Sequence, residues 1–198
     1  MGELDGGVDR SGMALSGKKK LALFLLGAAL LCGGLAGLLV APAAFSAPAR
    51  AQVKVVTPLN GQILRELNRV RQAHGLAPLE HSSMLAAAAA GHSRSMAEEG
   101  YFAHRSVDGS VFWTRIKRFY PSTGYGYWEV GENLVWAAPE LGAKRAVRMW
   151  MASPEHRTNL LNPRWRQIGL AAVHSSSAPG AYEDMAVTIV TADFGVRS

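Results

Sequence analysis

Twenty residues without a charge, Leu21–Val40, follow directly on Lys18-Lys19-Lys20. About 20 apolar residues suffice to cross a bilayer, and a helix with no polar face cannot lie on the surface of a soluble domain. The run leads into Ala41-Pro42-Ala43-Ala44-Phe45-Ser46-Ala47-Pro48-Ala49-Arg50-Ala51, a stretch of small residues and proline. A basic cluster, an apolar run and a small-residue exit are the parts of a secretory signal. Cleavage after Ala47, Ala49 or Ala51 gives a secreted product, whereas retention of residues 21–40 gives a membrane tether. In both cases the lysines hold the N-terminus in the cytoplasm and send the remainder out. Residues 1–51 are therefore read as signal peptide or membrane anchor, 52–57 as a linker, and 58–198 as one domain, extracellular or in the cell envelope.

The lone cysteine, Cys32, lies inside the apolar run. The exported part thus has no thiol and no disulfide, and its 147 residues must be held by a hydrophobic core, which that length permits. Cysteine catalysis and cysteine-ligated metals are excluded there. From residue 52 onward, 16 basic and 12 acidic residues leave a net charge of +4. That charge favours anionic envelope polymers or lipid headgroups, or serves solubility alone. The basic residues are scattered in sequence, with no dense run or aromatic interleaving, so nucleic acid is not an expected partner.

Four helices and two strands are legible. Thr57-Pro58 opens a helix with Ile63, Leu64, Leu67 and Val70 inward and Gly75 at its end. Leu76-Ala77-Pro78-Leu79 connects it to a second, capped by Ser82 or Ser83, running through Ala86–Ala90 to Glu99 and stopped by Gly100. A loop over Phe102–Gly109 precedes a third helix, Val111–Phe119, with Val111, Phe112, Ile116 and Phe119 inward. A glycine- and tyrosine-bearing loop follows, Pro121–Trp128. The fourth helix starts near Pro139 and buries Leu141, Ala146, Val147 and Trp150. Strands Ile168–Val173 and Met185–Phe194 close the chain, separated by Ser175–Gly180. Helices first and strands last predict an α+β layered domain.

Three clusters carry polar chemistry: Phe102-Ala103-His104-Arg105-Ser106, Gly131-Glu132-Asn133-Leu134, and Trp150 with Ser153-Pro154-Glu155-His156-Arg157, Asn159-Leu160-Leu161-Asn162-Pro163 and Ile168-Gly169-Leu170. Taken singly, each has an ordinary reading as a hydrogen-bonded structural histidine, a turn or a helix cap. Their order, together with Leu67-Asn68, Arg71 and Gly75–Leu79, resembles the CAP (SCP-like) superfamily over roughly residues 59–195. That superfamily includes cysteine-rich secretory proteins, antigen 5 and plant pathogenesis-related proteins, and the likeness is to its short bacterial members. The resemblance implies an α-β-α sandwich, with helices flanking a central, mainly antiparallel sheet. It also implies a cleft lined by His104, Glu132 and His156. The family's second acidic position falls on Ser153.

Two imidazoles and one carboxylate from His104, Glu132 and His156 can supply three ligands to a divalent cation such as zinc, with a fourth position open. They can equally hydrogen-bond one another through water. Tyr120, Tyr125, Tyr127 and Trp128 either present aromatic faces to a ligand or cover the sheet edge. His74, His81, His92 and His174 are read as surface or capping residues. Neither Ser106 nor Ser153 stands in a Gly-x-Ser-x-Gly elbow. The expected function is a binding module for an envelope component such as a cell-wall polymer, a lipid or a protein. The alternatives are a metal-dependent hydrolase with Glu132 as base, or a structural envelope protein.

Overall fold

The computed structural model describes residues 52–198. The expected signal or anchor, with Cys32, lies outside the described residues. The elements are β1 (Val53–Val55), α1 (Thr57–Ala73), β2 (Glu80–His81), α2 (Ser83–Glu99), α3 (Phe112–Phe119), β3 (Trp128–Ala137), α4 (Ala143–Ala152), α5 (Pro154–Leu160), β4 (Gln167–Ala178) and β5 (Met185–Arg197). The sheet has the order β1-β4-β5-β3 and is antiparallel throughout, while the two-residue β2 pairs parallel with β4. No helix among the described residues is long and apolar enough to cross a membrane.

Helices cover both faces of the sheet, giving the expected α-β-α sandwich. On one face α1, α4 and α5 bury Leu59, Ile63, Leu67, Val147, Trp150 and Leu160 against Ile168, Leu170, Val190 and Phe194. On the other, α2 and α3 bury Leu85, Ala88, Met96 and Ile116, with Val173, Val187 and Ile189 on the sheet side. The period-2 geometry of a strand assigns alternate residues to these two faces. Along β5, Val190, Ala192 and Phe194 face one way; Ile189, Thr191 and Asp193 therefore face the other.

The sheet and α2 pack closely at Gly169. Gly169 of β4 lies so close to α2 that a Cβ there would stand 2.0 Å from the Ala86 nitrogen. The approach is to the α2 backbone at Leu85 and Ala86, so the missing side chain at Gly169 is what permits it. Ser82 caps α2 by accepting from the Leu85 amide at 3.4 Å, and Gly100 ends it at φ 73°, a left-handed position that favours glycine. The connector after α1 is held by side chains. Asn68 exchanges two hydrogen bonds with the Leu79 backbone, at 2.8 and 3.0 Å. Buried Arg71 donates to the carbonyls of Ala77, Leu160 and Asn162, at 3.0, 2.8 and 3.0 Å.

The structure corrects several expectations. Residues 52–57 are not a linker: Val53, Lys54 and Val55 form β1, paired with Ser175, His174 and Val173, and α1 begins at Thr57. The segment carrying Gly131-Glu132-Asn133-Leu134 is not a turn but the middle of β3. The expected break at Ser175–Gly180 falls partly within β4, which continues to Ala178 through an irregularity in register. On α3, Phe119 is exposed and Arg115 is buried in its place beside Ile116. On α1 the buried stripe is Leu59, Ile63, Leu67 and Arg71, spaced four apart, with Leu64 and Val70 only half-buried.

Candidate functional site

Glu132 lies on β3 directly opposite Asp193 of β5, facing α2 and α3. Its carboxylate is buried and engaged at both oxygens. His104, from the loop between α2 and α3, meets Oε1 through Nδ1 at 2.8 Å. A nitrogen facing a carboxylate oxygen must carry the proton, which leaves Nε2 available on the half-exposed side of the ring. Arg115 of α3 donates through Nη2 to Oε2 and through Nη1 to Ser106 Oγ at 2.9 Å. Burial works to raise the Glu132 pKa, but the His104 hydrogen bond and the charge of Arg115 outweigh it. The carboxyl is held below its ordinary value.

Asp193 is the opposite case. It is wholly buried and no donor reaches either carboxylate oxygen. Burial, followed by the charge of Glu132, pushes its pKa well above the usual carboxylate range. A neutral Asp193 carboxyl carries its own donor, and Glu132 is the acceptor it faces. The two strands thus set two acids opposite each other, one held below and one pushed above the ordinary carboxylate range. His92 of α2 lies close enough to feel the charges of Glu132 and Arg115. Burial drives its pKa down to about 4, and its neutral ring bonds the Ala103 carbonyl at 2.9 Å and the Tyr101 hydroxyl at 3.4 Å. His92 was expected at the surface. It is buried because α2 turns this position, with Ser93 and Met96, onto the sheet.

A cleft of about 1020 Å³ opens beside this pair. Glu132 and His104 form its floor, Phe112, Val130 and Trp165 supply apolar walls, and Arg157, Asn159 and Arg164 supply polar ones. The His104 and Phe112 rings are 6.2 Å apart. Gly131 keeps the floor open to Asn159 and Trp165, since a Cβ would stand 2.7 Å from Asn159 Oδ1 and 2.9 Å from Trp165 Cζ2. Asn159 in turn donates to the Glu132 carbonyl at 3.2 Å and to Asn133 Oδ1 at 2.9 Å.

Of the three residues expected to converge, two do so directly. His156 lines a smaller hollow of about 240 Å³ with Phe102, Leu134, Trp136 and Trp150. Its carbonyl accepts from Asn133 at 2.9 Å, which couples it to the cleft through the backbone. Burial and the nearby His104 lower its pKa. Ser153 joins α4 to α5, and its side chain makes no capping bond. Among the described residues, no group of three or more His, Cys, Asp or Glu side chains is placed to hold a metal ion. At Glu132 the positive charge is supplied by Arg115.

The aromatic loop is braced by contacts of its own, with Tyr125 and Tyr127 exposed. Arg197 lies over the rings of Tyr120 and Tyr125, at 4.1 and 4.5 Å. Tyr127 donates to Glu129, and Trp128 Nε1 donates to the Tyr120 carbonyl at 2.9 Å. Tyr125, Tyr127 and Trp128 do not line the cleft. The residues missed from sequence are Arg115 and Asp193. Asp193 had a signal, a single acid inside the apolar run Met185–Phe194; Arg115 had none beyond its place one residue before Ile116.

A family model described as "CAP: Cysteine-rich secretory protein family" matches residues 64–194. Two curated proteins of Bacillus subtilis (strain 168) are similar. "Uncharacterized protein YkwD" is 32% identical over 122 residues, 62% of this chain and 45% of that protein. "Uncharacterized membrane protein YlbC" is 33% identical over 117 residues, 59% of this chain and 32% of that protein. The chain thus spans less than half the length of either. Among solved structures, an extracellular protein containing a SCP domain from Bacillus anthracis str. Ames is 27% identical, with a TM-score of 0.53 over 70% of this chain and 40% of its own. An outer surface protein from Borrelia burgdorferi shares the fold at a TM-score of 0.59 and 20% identity, covering 75% of this chain and 99% of its own.

Proposed function

The chain belongs to the cysteine-rich secretory protein (CAP) family, and from that premise we propose that it is an extracytoplasmic binding module whose His104–Glu132 cleft holds an envelope component, a lipid or a protein segment. The observation that carries this reading is the state of Glu132 at the floor of an open cleft. A general base needs a free carboxylate with a pKa near the working pH. Glu132 has both oxygens committed and its pKa lowered, which suits a fixed acceptor framework better than proton abstraction. Apolar Phe112 and Val130 beside Arg157, Asn159 and Arg164 give the mixed lining usual for small-ligand recognition. Export rests on the lysine-flanked apolar run, and similar proteins described as extracellular or as a membrane protein agree with it.

The test is a titration of the isotope-labelled full-length chain with soluble peptidoglycan fragments and, separately, with phospholipid micelles. The expected result is a shift of the Trp165 indole resonance that saturates, with affinity falling about tenfold in Phe112→Ala, a typical loss for one anchoring ring. If neither probe perturbs Trp165, His104 or Phe112, the cleft does not serve these ligands. Turnover of a fragment would instead restore the hydrolase reading.

A further inference from the structure

The cations that look scattered along the sequence are gathered by the fold. α1 and α4 lie side by side, and between them runs a groove of about 640 Å³. Arg65 and Arg69 line it from α1, and Lys144, Arg145 and Arg148 from α4. All five are exposed. On each helix two of them stand four residues apart, a rise of about 6 Å, so positive charge recurs along both walls. The groove holds one acid, Glu66, which is bound to Arg69 at 2.7 Å. Arg65, Lys144, Arg145 and Arg148 have no carboxylate partner among the described residues. Five like charges in one hollow repel one another, and nothing in the core requires them to be there.

We infer that this groove is a second binding site, for a linear polyanion of the phosphodiester-linked polyol class such as poly(glycerol phosphate). Arginine forks match phosphate oxygens, and two rows of cations suit charges repeated along a flexible chain. The rest of the lining selects among polyanions. It consists of Gln62, Gly142 and Ala143, with no aromatic ring on which a nucleic-acid base could stack. It also offers no large apolar side chain for insertion between lipid headgroups, and it is concave where a bilayer is flat. The groove shares no residue with the His104–Glu132 cleft, so it adds to the proposed function without depending on it.

The experiment uses the full-length chain in neutral detergent and fluorescently labelled poly(glycerol phosphate), with anisotropy read across a range of salt concentrations. Each phosphate contact contributes roughly 0.7 to the slope of log affinity against log salt for a single-stranded polyanion. Arg65→Gln combined with Arg148→Gln should therefore lower the slope by about 1.4. Glu66→Gln should tighten binding, a gain that no folding defect can imitate. Phe112→Ala should leave polymer binding unchanged, which keeps this test separate from that of the cleft. An unchanged slope in the double variant, or no gain in Glu66→Gln, overturns the proposal. So does displacement of the polymer, at lower phosphate concentration than unlabelled polymer requires, by single-stranded DNA or by mixed micelles containing phosphatidylglycerol.

Discussion

Asp193 faces Glu132 across two strands, and the pair sets how the domain responds to pH. The folded state keeps a proton on Asp193 that the unfolded chain releases above about pH 4. Stability is therefore lost as pH rises from there toward the raised folded pKa. Glu132 runs the other way: its lowered pKa contributes stability above about pH 4.3, which is lost on acidification. Asp193→Asn keeps a donor facing Glu132 and removes the titration. Its unfolding free energy should gain on the parent by about 1.4 kcal/mol per pH unit above pH 4, measured by urea unfolding at several pH values. A constant difference would mean that Asp193 is ionised when folded. His104 and Glu132 were legible only through the family resemblance, which the order of the three clusters carries and no single motif does. Arg115 was not, because one arginine in Phe112–Phe119 cannot be told from Arg118, which points to solvent.

Glycines define how closely the elements pack. Gly169→Ala would drive a methyl group into the α2 backbone at 2.0 Å, and neither β4 nor α2 can yield without opening the core. The loss should reach or exceed about 3 kcal/mol, the upper range for overpacking. Gly91, also on α2, faces solvent, and a methyl group there would meet nothing within 4 Å. Gly91→Ala should stabilise by about 0.5–1 kcal/mol through helix propensity. Thermal unfolding of the two variants separates packing from propensity, and equal effects of one sign would refute the account. β3 shows why one strand escaped sequence reading. It is buried on both faces through Gly131–Val135, so polar and apolar residues do not alternate. Its free-edge carbonyls at Glu132 and Leu134 are met by Asn159 and by Trp150 Nε1, at 3.2 and 2.9 Å. That side-chain cover blunts an edge that could otherwise pair with another chain. α2, by contrast, announced both ends through Ser82 and Gly100.

For the molecule as a whole, the sequence separates an apolar N-terminal segment from a domain that contains no cysteine. Residues 1–55 fused to a reporter active only outside the cytoplasm should give signal, and activity confined to the cytoplasm would remove the export reading. The α+β class was legible because helix patterns precede apolar strand runs, whereas the sandwich order came from the family resemblance alone. β1 was not, because Val53-Lys54-Val55 is too short to show a period and owes its strand form to β4. That small strand gives the domain a mechanical character. In a chain held by a membrane segment at one end and by an envelope ligand at the other, traction enters through Gln52. The first structure it meets is the bonding of Gln52 to Ser176 and the three residue pairs of β1 at the sheet margin. If they peel away, load passes to α1 and the core. β1 would then yield as a fuse, and re-seat when the strain relaxes.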